Sequence, residues 1–278
     1  MKNYILYSCF IAFTFLACED VIDVDVDSIT PRLVVEGGIE WEKNTTGNVQ
    51  RIRLSQSTDF FDESSPAVTD AQVVMNQLNS TNSYAFLHVD NGWYEITDFE
   101  PVIGATYELL IDYDNQSFRA VETMISVPEV ARIEQTTALA FDGGDEVSID
   151  FYANDPAGQA NFYLANYLVN DDPTPFIFVA DDDFLDGNEL PFFYRQSFVD
   201  DEEELLPNDV VNIEFLGISE DFYNYMFVFT EQVFGGFGPF STTPVEIRGN
   251  VVNQTRPDEN AFGFFYLSER VTFDVIVE

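Results

Sequence analysis

A single histidine, His88, narrows the catalytic chemistry open to this chain. A Ser-His-acid triad would have to run through it. His88 sits in an apolar run, residues 84–89, just ahead of the turn sequence Asp90-Asn91-Gly92, where it reads as a strand residue with a solvated or hydrogen-bonded ring. The only cysteines are Cys9 and Cys18, and both lie at the N-terminus. G-x-S-x-G, H-E-x-x-H, Gly-rich nucleotide and phosphate-loop patterns are all absent from the sequence. The chain is therefore expected not to be an enzyme, and no residue is assigned a catalytic role. Carboxylate-pair hydrolysis needs only two acids, and with 50 Asp and Glu it stands as the least favoured alternative.

Oxygen ligands are the better prospect. In the run Ala180-Asp181-Asp182-Asp183-Phe184-Leu185-Asp186-Gly187-Asn188-Glu189, Asp181, Asp183, Asp186 and Asn188 place hard donors on a short loop that Gly187 lets turn sharply. This is a candidate calcium site, and no other cofactor is expected. Its spacing departs from the EF-hand: the glycine comes one residue late after Asp186, and no Glu stands at the twelfth position. A solvated acidic turn is the competing reading.

The elements that would hold such a site are strands. With 50 acidic and 11 basic residues the net charge is −39, which makes nucleic acid and anionic lipid faces unfavourable partners. A content of 46% hydrophobic and 15% aromatic residues supplies ample core. Residues 1–17 read as a signal peptide: Lys2, an apolar run, then small Ala17. Cleavage before Cys18 would leave its thiol for a lipid anchor and leave the mature chain without a disulfide. Residues 18–30 form an acidic tether carrying Glu19, Asp20, Asp23, Asp25 and Asp27, with a first strand over its V-x-V-x-V alternation as the competing reading.

From residue 31 to 127, short β runs alternate with turn chemistry: 32–36, 51–55, 72–78, 84–89, 93–96, 106–113 and 118–126. Asn91-Gly92 and Asp114-Asn115 close tight hairpins. About seven strands in roughly a hundred residues predict an immunoglobulin-like or prealbumin-like β-sandwich. Pro128 marks a boundary, and 128–278 reads as a second β domain with strands at 131–136, 146–152, 161–170, 192–199, 210–217 and across 261–277. A second acidic loop covers 200–204. The fold class is therefore all-β, two sandwich domains, the second with one packed aromatic helix.

That helix is predicted over 219–234. Ser219 caps it, Glu220 and Asp221 oppose the positive dipole end, and Gly235-Gly236 ends it. Phe222, Met226, Phe229 and Val233 make one stripe at helical spacing. Tyr223, Phe227 and Phe234, with Phe237 and Phe240 in the following loop, add more apolar area than one sheet face needs, and are the candidate partner-binding residues.

Several segments in order along the chain carry a family resemblance: C-E-D-V-I-D-V-D-V-D at the start, P-R-L-V-V-E-G, and D-P-A-G-Q-A-N-F-Y-L with Asp155, Pro156, Gly158, Asn161 and Tyr163. D-D-D-F-L-D-G follows, then the aromatic helix with Tyr223 and Tyr225, P-F-S-T-T-P with I-R-G-N, and G-F-F. On these the chain resembles the uncharacterised outer-membrane lipoproteins of Bacteroidota encoded beside TonB-dependent receptors. The resemblance implies a lipid-anchored protein on the outer membrane, facing the cell exterior, that works with a TonB-dependent receptor or another outer-membrane β-barrel as an accessory or substrate-capturing subunit. A structural or assembly subunit without a soluble ligand is the alternative. The family brings no catalytic residues to carry over.

Overall fold

Period-two alternation becomes strand nearly everywhere it occurs. The computed structural model describes residues 30–59, 64–140, 143–170, 172–198, 204–233 and 245–278. The expected signal peptide, Cys18, all but the last residue of the expected tether, residues 200–203 of the second acidic loop, and Phe234, Phe237 and Phe240 lie outside these residues.

The first module is a sheet folded across its own middle. Its strands are β1 (Leu33–Glu36), β3 (Gln50–Gln56), β4 (Gln72–Gln77), β5 (Ser83–Asp90), β6 (Trp93–Ile96), β7 (Thr106–Tyr113) and β8 (Gln116–Thr123). β5 is shared: Ser83 to Phe86 pair with β4, and Leu87 to Asp90 pair with β6, with a register shift between His88 and Asp90. Side chains from both layers meet in one core, in which Ile52, Leu54, Met75, Tyr107 and Leu109 have no exposed surface. Asn91 (φ 41°) with Gly92 (φ 79°), and Asp114 (φ 47°) with Asn115 (φ 56°), adopt the left-handed pairs that close two-residue hairpins.

The second module is two sheets face to face. One has three strands: β10 (Asp145–Asn154) between β9 (Val130–Leu139) and β13 (Glu189–Tyr194). The other runs β12 (Phe176–Asp181), β11 (Phe162–Val169), β14 (Val210–Ile218), β17 (Leu267–Ile276) and β2 (Ile39–Glu42). Aromatic rings fill the space between them: Phe151 stacks on Phe192 at 4.8 Å, and Phe192 meets Phe215 edge-on at 4.8 Å.

A cut at Pro128 divides the chain differently from the way the cores divide. Met124 belongs to the first core and Val127 to the second. Yet Val251, Ala261, Phe265 and Leu267 pack into the first core. β15 (Val252–Asn253) pairs with β8, β16 (Phe262–Gly263) runs parallel to β1, and β2 leaves the first module to run parallel to β17. The two modules exchange strands.

Two strand expectations change, and β12 adds a strand where none is expected. The stretch 261–277 is two strands and not one, broken after Gly263 (φ 85°), where a Cβ would stand 2.0 Å from the Val35 carbonyl oxygen. The strand expected at 192–199 ends at Tyr194 and gives way to a 3-10 turn, Gln196–Phe198. The interval ending in the acidic loop contains β12, whose six residues are all half-buried and so show no alternation.

The helix, α1 (Glu220–Val233), covers the outer face of the five-stranded sheet. Alternation along β11 and β14 sends Tyr163, Ala165, Ile213 and Phe215 inward, and Leu164, Leu216 and Ile218 outward to the helix. Its N-terminus is capped as the sequence predicts: the Phe222 N–H donates to Ser219 Oγ at 3.2 Å, and the Ser219 hydroxyl donates to Glu122 Oε2 at 3.0 Å.

Candidate functional site

The buried face of α1 is set by residues three and four apart. Phe222 and Met226 are buried, with Tyr225 and Phe229 beside them in the same cluster. Phe222 stacks on Tyr266 at 4.1 Å, and Tyr225 lies 5.2 Å from Phe264. Val233, the fourth member of the expected stripe, is 47% exposed because the helix runs past the edge of the cluster by its last turn.

Between helix and sheet lies an apolar groove of about 290 Å³. Leu164, Ile177 and Leu216 form its floor, and Phe222, Met226 and Phe229 one wall. Asn166 is a polar member of its lining and donates to Glu214 Oε2 at 3.3 Å. A mostly apolar concavity with few polar groups, close to 300 Å³, suits a small molecule or one or two inserted side chains.

The candidate partner residues fall into different settings. Phe227 is 47% exposed. Tyr223 is tied into the fold: its hydroxyl donates to Asp181 Oδ2 at 2.8 Å and its ring lies 5.0 Å from that of Phe162. Burial first, and then the Asp181 carboxylate, push the Tyr223 phenol up to about 12, so it remains a donor at physiological pH. Tyr223 is therefore a tether between helix and acidic loop. The overall aromatic excess legible in the sequence carries no information on which rings the loop claims.

The residues expected to ligate an ion do not converge as a set. Asp181 spends one oxygen on Tyr223 and the other on the Asp183 N–H, at 3.1 Å. Asp183 is exposed, and Asn188 turns its amide to the Asp186 carbonyl at 3.1 Å. Asp186 instead faces the loop after β10, where its Oδ1 accepts the Gly158 N–H at 2.7 Å. There it joins Asp155 and Asp182, one carboxylate oxygen from each of the three lying within 4.8 Å of the others. The spacing of the acidic run does not single out these two as ligands: Asp182 falls between the alternating donors Asp181 and Asp183, and Asp155 stands 27 residues before Asp182. The Asp-Pro that opens a Gly-containing loop after a strand was the available signal.

His88 is exposed, and its ring lies edge-on to Tyr94 at 5.3 Å. That is a packing contact on a strand.

The sequence pattern of one family covers residues 19–273, a family described as "Domain of unknown function (DUF4249)". The chain belongs to this family. None of the curated proteins compared with it is similar to it. Among solved structures, a two-domain fibronectin type III segment from chicken tenascin is similar at 14% identity, covering 69% of this chain and 91% of that one with a TM-score of 0.22. At that score the β-sandwich assignment for this DUF4249 protein rests on its own sheets. Among the described residues, no helix is long and apolar enough to cross a membrane.

Proposed function

We propose that this protein is a surface lipoprotein anchored through Cys18 to the outer membrane, where it serves a TonB-dependent transporter as an accessory or substrate-capturing subunit. The observation that carries this reading is the N-terminal order of features: an apolar leader, Ala17-Cys18, an acidic tether, and a family pattern that starts at residue 19. Lipidation of Cys18 with two or more acyl chains would give stable anchoring to a protein whose net charge of −39 disfavours an anionic lipid surface. The acidic residues behind Cys18 resemble a surface-export address.

The groove under α1, with Phe227 exposed on the same helix, supplies a surface suited to capturing a small apolar ligand or a loop of a partner barrel. The test is a pull-down of the tagged full chain from detergent-solubilised outer membrane. Co-purification of a large β-barrel is the expected result. Recovery of other lipoproteins with no barrel would replace this reading with that of an assembly subunit. Release of Cys18→Ala from the membrane fraction is expected, and its retention after carbonate washing would defeat the anchor assignment.

A further inference from the structure

Two of the three clustered carboxylates are inside the protein. Asp155, the residue after β10, is 8% exposed, and Asp182, the residue after β12, is 3% exposed, while Asp186 is open to solvent. Mutual repulsion and lost hydration both oppose such an arrangement unless something compensates the charge. Asp155 is compensated in part: Tyr163 donates its hydroxyl to Oδ1 at 2.5 Å, and the Gly187 N–H donates to Oδ2 at 2.8 Å. Asp186 has the Gly158 N–H. Asp182 Oδ2 is buried and has no hydrogen-bond partner among the described residues. None of the ion pairs formed by described residues includes any of these three aspartates.

An unpaired, desolvated anion next to two others has the chemistry of a cation ligand. The donors are all carboxylate oxygens, which suit hard divalent ions and not zinc or copper. Calcium–oxygen distances of about 2.3–2.6 Å allow two ligands of one ion to be separated by up to roughly 5 Å, which accommodates the observed spacing. Magnesium demands a smaller and near-regular octahedron, which three carboxylates projecting from two different loops are poorly placed to build. The surrounding loops are held in shape. Gly187 (φ 73°) lets the turn pass against Ala157, where a Cβ would come within 2.6 Å of the Ala157 Cβ. The Asp155 N–H donates to the Asn188 carbonyl at 3.1 Å, and Leu185 N–H to that of Asp182 at 2.8 Å.

We propose that Asp155, Asp182 and Asp186 bind one calcium ion, with Asp182 contributing the oxygen that has no protein partner. The ion joins the loop between β10 and β11 to the loop between β12 and β13. Tyr163 acts as a positioning residue that orients Asp155, and solvent reaches the ion on the Asp186 side.

The experiment is calorimetric titration of the full chain, purified in detergent and stripped with chelator, with calcium alone, in parallel with melting curves. One ion per chain, saturating below about 1 mM and raising the melting temperature, is expected. Asp182→Asn should weaken binding at least tenfold. Asp186→Asn should do the same, and because Asp186 is exposed this variant keeps the test informative if Asp182→Asn fails to fold. Asp183→Asn, outside the cluster, should bind as wild type. Absence of saturable binding overturns the proposal, as does an affinity unchanged in Asp186→Asn or lowered equally in Asp183→Asn.

Discussion

Arg270 Nη1 lies 2.6 Å from Glu40 Oε2, joining residues 230 positions apart at the seam where β2 enters the second module's sheet. The same guanidinium reaches Glu214 Oε1 at 3.1 Å and, through Nε, Glu42 Oε2 at 3.1 Å. Tyr266 donates its hydroxyl to Glu40 Oε1 at 2.6 Å. One cation on β17 thus serves three carboxylates on two other strands, β2 and β14. The strand exchange between modules is held by charge as well as by the parallel pairing of β2 with β17.

Arg270→Leu should destabilise the protein by about 2–3 kcal/mol. That is less than the roughly 3–5 kcal/mol for breaking a fully buried pair, because these side chains remain about a quarter exposed. Arg270→Lys should recover only part of the loss, since an ammonium is a point charge without the planar fork. Urea unfolding measures both. A loss below about 0.5 kcal/mol for Arg270→Leu would mean that backbone pairing and packing alone dock β2.

Glu40 and Glu122 should contribute more stability as pH falls from neutral toward the ordinary carboxylate range. Burial raises the pKa of both Glu40 and Glu122 above the ordinary 4.5, against the hydrogen bonds that lower it. Between 4.5 and the raised value, the folded state holds more protons than the unfolded one. The stability these two groups contribute is therefore full below 4.5 and lost as pH rises through the folded pKa. Glu122→Gln should flatten the pH dependence of the melting temperature. Repulsion within a chain of net charge −39 has the same sign, but salt screens it at the surface and leaves the buried contribution in place.

Ser219→Ala should cost about 1 kcal/mol through loss of the cap on α1. Ser219→Asp, ordinarily an equivalent cap, should not rescue it, because the Ser219 hydroxyl donates to the Glu122 carboxylate and a second carboxylate there would repel it. Thermal unfolding followed by circular dichroism reads the difference. Equal stability of Asp and Ser variants at neutral pH would remove Glu122 from the account.

Phe227→Ser should leave stability within about 0.5 kcal/mol of wild type and reduce recovery of the partner barrel, because the ring is 47% exposed. Tyr223→Phe should do the reverse. It deletes a hydrogen bond to a carboxylate, worth about 1–2 kcal/mol at this partly exposed position, and leaves the apolar surface intact. Comparing melting curves with pull-down yields for the two variants separates the roles. Loss of stability in Phe227→Ser with undiminished capture would assign that ring to the fold.

Local chemistry made much of this protein legible in its residues alone. Hairpins at Asn91-Gly92 and Asp114-Asn115 follow from residue types that tolerate positive φ, and the cap at Ser219 from a side chain able to accept the free N–H groups of a helix end. Period-two alternation marked most strands for the same reason: the force that places those side chains acts within a few residues. What depended on distant partners was not legible. β12 shows no alternation, because both of its faces are half-covered by elements elsewhere in the chain. The return of β15 and β16 to the first core, and the departure of β2 to the second sheet, depend on edge pairing and on Arg270 finding Glu40, which spacing does not encode. The acidic loop shows the same division. Its composition marked oxygen chemistry between residues 181 and 188, but only the approach of the β10–β11 loop decided that Asp186 faces Asp155 and Asp182, since a carboxylate's neighbours are set by which loops the sheets bring together.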